Sequence, residues 1–280
     1  MRSVAVLLML AGAMNAQDAF RVKVTGHGKP MILIPGLSSS GEVWDTTVAR
    51  YKDRFECHVL TLAGFAGVPR IEAPMLEKVR EGIAEYVKKN KLVKPVIVGH
   101  SLGGTLALDL ASRYPDLPGR IVIVDSYPFL MGMMGDDITP AKAREKAAQM
   151  RKYMSAQTQD AYERFVKSGV SARSMVTKES DFDRIVAWGL ATDRTASTDA
   201  MAELYSTDLR EDIAKIQCPV QVMATYIGYP GATRAGVEAG LKQQYAKVEK
   251  TDLQVSDRAH HFIMWDDPDW MFANLDRFLK

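Results

Sequence analysis

The chain has 280 residues, of which 47% are hydrophobic and 25% charged. Those fractions exclude disorder, collagen and coiled coil as its main state, and the length can bury a core the size of one α/β domain with an insertion or of two small domains. Lys and Arg number 36 against 34 Asp and Glu, a net charge of +2 with no long run of one sign, so the basic face that nucleic acid binding needs is not built.

Arg2 precedes an apolar run from Val4 to Ala13, followed by small residues and then Gln17 and Asp18. This is the order of a secretory signal peptide over residues 1–16, cleaved after Ala13 or Ala16, and it predicts a periplasmic or secreted protein. A buried N-terminal strand or helix is the alternative. The run is shorter than the roughly 20 residues that span a bilayer, and no second stretch is long enough, so no membrane span is expected.

Residues 20–24 alternate like a half-buried strand, and residues 26–30 are a turn. Met31 to Ile34 reads as a buried strand ending at Pro35-Gly36, followed by a loop and then a helix up to Tyr51 that carries Trp44 and Val48. Cys57 to Leu62 is another strand, and Leu76 to Asn90 has a helical period. Pro95 to Val98 is a strand stopped by Gly99, Leu102 to Tyr114 a helix, and Ile121 to Val124 a strand. The alternation resumes with strands at Val220 to Ala224 and Leu253 to Val255 and helices at Ala232 to Tyr245 and Asp269 to Leu279. Strands apolar on both faces, alternating with helices, predict a mostly parallel sheet covered on both sides.

Between Phe129 and Thr207 the strand pattern disappears. Residues 140–168 and 181–206 are rich in good helix formers, which predicts a helical insertion. It opens with Phe129, Leu130, Met131, Met133 and Met134, which either line an apolar pocket or pack the insertion onto the body.

The strongest chemical signal is Gly99-His100-Ser101-Leu102-Gly103, with Gly104 following, set between a predicted strand and a predicted helix. In that context a sharp turn holds the serine in a strained conformation, and side chains two positions to either side would collide. The Ser101 hydroxyl then projects from the sheet's carboxyl edge at a helix N-terminus, where developing negative charge is favoured. The plainer alternative is a strand–helix turn with Ser101 as an N-cap.

At these residues the chain resembles the α/β-hydrolase superfamily, in its cap-bearing, esterase-like branch. Three segments match in order: Ile34-Pro35-Gly36-Leu37, the GHSLGG stretch from Gly99, and a terminal His261-Phe262 followed by Asp266 and Pro268. The resemblance implies an α/β-hydrolase core over residues 17–128 and 208–280. It also implies a helical cap over 129–207, inserted after the strand ending at Val124.

Ser101 needs a base. His27 lies in a turn, His58 in a strand and His100 inside the elbow, which leaves His260 and His261. The family's spacing to Phe262, Asp266 and Pro268 selects His261, with His260 standing where the family usually has glycine. The base needs a carboxylate, which the family most often supplies after the strand Val220 to Ala224. The loop there, Thr225 to Gly231, holds no acid. A minority of the superfamily takes it from the end of the preceding sheet strand, where Asp125 stands. Asp257 is the weaker candidate. Backbone N–H groups of Leu37 and Leu102 would form the oxyanion hole, although Pro35 replaces the family's usual histidine.

With the N-terminal pattern, the resemblance therefore implies a secreted serine hydrolase acting through an acyl-enzyme on a small or medium apolar ester or related acyl compound. A carbon–carbon or lactone hydrolase, an acyltransferase and a non-catalytic ligand-binding member of the same fold remain the alternatives. No cofactor or metal motif is present. In the family's sheet order three strands separate Cys57 from Cys218, roughly 19 Å, too far for a disulfide.

Overall fold

A computed structural model describes residues 19–135 and 137–280, so the expected signal segment lies outside the described residues. Strands β1 (Phe20–Gly26), β2 (Lys29–Ile34), β3 (Phe55–Leu62), β4 (Val96–His100), β5 (Arg120–Val124), β6 (Val220–Thr225) and β7 (Thr251–Ser256) form one sheet in the order β1-β3-β2-β4-β5-β6-β7. Only β1 runs antiparallel, against β3. Three strands separate the two cysteines, and both are free and buried.

Two covered faces explain the apolar strands. β4 and β6 are buried at every position, whereas the edge strands β1 and β7 keep partly exposed polar residues. Successive side chains point to opposite faces of a strand. Ile32, Ile34, Ile97, Ile121 and Ile123 therefore enter one core, and Met31, Leu33, Val98, Val122 and Val124 the other.

The helices before the insertion are α1 (Asp45–Tyr51), α2 (Met75–Lys89) and α3 (Leu102–Arg113). The insertion supplies α4 (Pro140–Ser155), α5 (Gln159–Ser168), α6 (Glu179–Ala191) and α7 (Arg194–Ser206), and α8 (Arg234–Gln244), α9 (Ile263–Asp266) and α10 (Pro268–Phe278) complete the chain. Val79, Ile83, Leu106, Leu110 and Leu241 place α2, α3 and α8 on the first core. Tyr51, Met271 and Leu275 place α1 and α10 on the second.

Apolar runs and a helical period located the strands and α2, α3, α8 and α10 within a few residues of their ends, whereas Trp44 lies in a turn before α1 and α9 was not foreseen. One boundary differs for an instructive reason: β4 does not stop before Gly99 but continues to His100. Its ladder with β5 pairs Gly99 with Ile123 and His100 with Val124, and a glycine without a side chain still carries the donor and acceptor that a ladder uses. Of the apolar run opening the insertion, Phe129 and Met131 are buried with Ala143, against Ile138 and Tyr205. The Gln244 amide clamps both the N–H and the carbonyl of Phe129 at 2.9 Å. These two residues fill a small core rather than line a pocket.

The insertion is tied to the sheet by polar contacts as well as packing. Pro74 gives α2 no side-chain cap. Glu203 of α7 does so instead, accepting from Met75 N at 2.8 Å and Leu76 N at 2.7 Å. A carboxylate there satisfies two orphan donors and is favoured by the helix dipole. The turn between α6 and α7 rests on the loop after β3, where Asp193 N donates to Gly64 O at 2.8 Å and Gly67 N to Ala191 O at 2.9 Å.

Replacement Glu203→Ala removes this cap. A loss of roughly 1–2 kcal/mol is expected, read as a lower urea midpoint at unchanged slope. An unchanged midpoint would contradict the capping role.

Candidate active site

β4 ends at His100 and α3 begins at Leu102, so Ser101 alone reverses the chain. Its φ of 54° with ψ of −122° lies outside the conformations open to a relaxed non-glycine residue. The reversal is held by the backbone: Ser101 N donates to Val124 O at 2.9 Å, and Gly104 N to Ser101 O at 2.8 Å. The serine side chain makes no cap hydrogen bond to α3, which removes the N-cap reading.

The glycines permit this tight turn. A Cβ at Gly99 would fall 2.1 Å from Gly103 O, and one at Gly103 would fall 2.4 Å from Ile34 O. The start of α3 thus presses on the end of β2 and brings the Pro35-Gly36-Leu37 turn against the elbow. A Cβ on Gly36 would sit 3.2 Å from Ser101 Cβ. Leu102 is the first residue of α3, whose leading N–H groups have no intrahelical acceptor. Among the described residues the Leu37 N–H also donates to no backbone acceptor.

Asp125 follows β5, the neighbour of β4, so it leaves the sheet beside Ser101. It too has a positive φ, 48°. Its side chain has no exposed surface, and a carboxylate there must be met by donors. Oδ1 accepts from Thr225 N at 3.2 Å, and Oδ2 from the Tyr229 hydroxyl at 2.6 Å. His261 Nδ1 lies 2.6 Å from the same Oδ2. That contact assigns the His261 proton to Nδ1 and leaves Nε2 as the open end of the ring.

The loop bearing His261 is fixed from several sides. Ser256 Oγ accepts from Arg258 N at 3.2 Å and Ala259 N at 3.1 Å, and His260 N donates to Asp266 Oδ2 at 2.9 Å. Phe262 N donates to Met175 O at 3.2 Å, anchoring the loop to the insertion. The His100 ring lies 4.5 Å from the His261 ring, and His100 Nε2 donates to His261 O at 3.1 Å. Burial, together with the neighbouring imidazole, pushes His100 well below the ordinary histidine range and keeps it neutral. Among the described residues Ser101 Oγ makes no hydrogen bond of its own.

The other sequence candidates lie elsewhere. Asp257 is on the surface, 2.6 Å from Arg234 and 3.2 Å from the Tyr226 hydroxyl. The hydrogen bond and charge of Arg234 hold its carboxyl below the ordinary aspartate range. The His260 Nδ1 is buried without a partner, and His58 pairs with the Tyr86 hydroxyl at 2.8 Å. Among the described residues no cluster of His, Cys, Asp and Glu is arranged to hold a metal.

The residue that sequence reasoning missed is Tyr229. A search for an acid passes over a phenol, and only the fold shows that the acid-free loop after β6 delivers a hydroxyl to Asp125. Its hydroxyl also lies 2.9 Å from His261 Nδ1.

Gly99→Ala should cost roughly 3 kcal/mol, because the new methyl meets backbone rather than a yielding side chain. Urea denaturation measures it, and a wild-type midpoint would show that the elbow can relax.

The family model described as alpha/beta hydrolase family matches residues 31–274. Over 106 residues the chain is 31% identical to a pimeloyl-(acyl-carrier protein) methyl ester esterase of Vibrio cholerae, covering 38% of this chain and 40% of that protein. The chain thus matches about two-fifths of the length of that relative. A protein of the same name from Nitrosospira multiformis is 25% identical over 281 residues, covering 94% of this chain and 99% of its own. A hydrolase from Oleispira antarctica shares the fold with a TM-score of 0.76 at 16% identity, over 94% of this chain and 95% of that one. The chain belongs to the alpha/beta hydrolase family.

Proposed function

We propose that this protein is a serine carboxylic-ester hydrolase acting on a small or medium acyl substrate. The observation that carries the reading is the 2.6 Å contact between His261 Nδ1 and the buried Asp125 carboxylate, beside a serine held at positive φ. Three groups of this kind, in these roles, activate a hydroxyl that is otherwise a poor nucleophile.

In this mechanism His261 Nε2 accepts the Ser101 proton as Oγ attacks the ester carbonyl. Asp125 keeps the other ring proton on Nδ1 and stabilises the imidazolium that forms. The backbone N–H groups of Leu37 and Leu102 receive the oxyanion. Collapse expels the alcohol, protonated by His261, and leaves an acyl-serine. His261 then deprotonates a water, which attacks the acyl carbon and releases the acid.

The names of the Vibrio cholerae and Nitrosospira multiformis relatives support ester cleavage over the carbon–carbon, lactone and acyl-transfer alternatives. Helices α4 to α7 serve in this reading as a cap that limits the size of the acyl group. The Arg2 and Val4 to Ala13 pattern supports export, which N-terminal sequencing of the protein from a cell fraction enriched in periplasm would test.

Labelling with a fluorophosphonate probe reads an activated serine without a guess at substrate. Wild-type protein should label and Ser101→Ala should not. A folded, monodisperse wild-type sample that fails to label would favour the ligand-binding reading. Asp125→Asn should lower kcat on p-nitrophenyl butyrate by roughly 10³- to 10⁴-fold, as tautomer control is lost, while Asp257→Asn leaves it within about twofold. The reverse pattern would refute the assignment of Asp125.

A further inference from the structure

The Asp125 Oδ2 atom has two partners, His261 Nδ1 at 2.6 Å and the Tyr229 hydroxyl at 2.6 Å. The hydroxyl comes from the loop after β6, the place from which the family most often supplies the acid. That loop is held in position from below. Gly228 has a φ of 84°, and a Cβ there would fall 2.2 Å from Ser174 O of the insertion, so the segment that carries Tyr229 lies directly against the insertion.

We propose that Tyr229 is a positioning residue of this site, its hydroxyl donating to Asp125 Oδ2 so that the carboxylate is held in one orientation and only part of its charge is spent on His261. The inference rests on the serine-hydrolase reading above. The Tyr229 residue is 41% exposed, but desolvation of its hydroxyl end and the adjacent Asp125 charge raise the phenol well above its ordinary range, so it acts as a donor. The 2.9 Å approach of the phenol oxygen to Nδ1 lets it accept a share of the same ring proton. A carboxylate that accepts from Thr225 N, Tyr229 and His261 together cannot rotate without breaking a bond.

The other titratable groups around the pair do not substitute for it. His100 faces His261 from β4 and is neutral. His260 adjoins it on the loop. The Tyr245 hydroxyl donates to Ser126 O at 3.0 Å instead, and Tyr127 is raised by burial and by the Asp125 charge without a bond to Oδ2.

Tyr229→Phe removes the hydroxyl and keeps the ring. With its donor gone, Asp125 is free to turn, and the imidazole loses its fixed orientation toward Ser101. On p-nitrophenyl butyrate, kcat should fall roughly tenfold with KM within about twofold, the split expected of a lost positioning contact and not of lost binding. Tyr226→Phe, in the same loop with its hydroxyl on Asp257, should behave as wild type. Tyr229→Met, lacking both ring and hydroxyl, should match Tyr229→Phe. Wild-type kcat in Tyr229→Phe, or a loss in Tyr229→Met alone, would overturn the proposal by showing that the ring and not the hydroxyl matters. Failure of wild-type protein to label at Ser101 would instead overturn the hydrolase reading itself, so the two failures are distinguishable.

Discussion

A carboxylate with no exposed surface organises this site. Asp125 loses water's hydrogen bonds when the sheet forms and must regain them from protein donors. Each donor comes from a different part of the chain: Thr225 N from the end of β6, the Tyr229 hydroxyl from the loop beyond it, and His261 from the loop after β7. Satisfying one side chain therefore fixes three segments against the end of β5, and with them the imidazole that faces the elbow. The requirement is local, but its consequences extend across half the sheet.

The elbow obeys a second constraint, that of space. Ser101 holds a strained φ because β4 and α3 approach more closely than side chains would permit, and the small residues around it are the condition for that approach. The same closeness draws the Pro35-Gly36-Leu37 turn onto the serine. The strain is supported by the ladder on both flanks, since β4 is paired with β2 on one side and β5 on the other. A residue over-determined in this way keeps a conformation that an isolated turn would abandon.

The insertion is part of the same arrangement rather than an appendage. It receives Phe262 N at Met175 O, caps α2 through Glu203, and backs the Tyr229 loop at Ser174. Ser38, just after the turn that carries Leu37, has its hydroxyl 3.0 Å from that of Ser197 on α7. Movement of α7 would consequently be felt at the turn that carries Leu37.

Much of the fold was legible because it is repetitive. Apolar runs in the strands and a helical period in Leu76 to Asn90 follow from burial on two faces or one, and each leaves its mark on consecutive residues. Ser101 was legible for a related reason: Gly99, Gly103 and Gly104 record a close approach in the residues nearest to it. His261 and Asp125 could be named from spacing and position, but their 2.6 Å contact joins residues far apart in the chain. The Phe129 and Met131 side chains show the limit of composition, since the same residues suit a pocket or a core and only their neighbours decide.

By itself, then, the sequence determined the parallel sheet, the helical insertion and the elbow, because burial pattern and backbone sterics act over neighbouring residues. Tertiary structure alone decided that Asp125 rather than Asp257 meets His261, since Arg234 holds the latter at the surface. It alone brought in Tyr229, whose hydroxyl gains its meaning from a carboxylate on another strand. Hydrogen bonds across a fold depend on distance in space, and no periodicity along the chain encodes that.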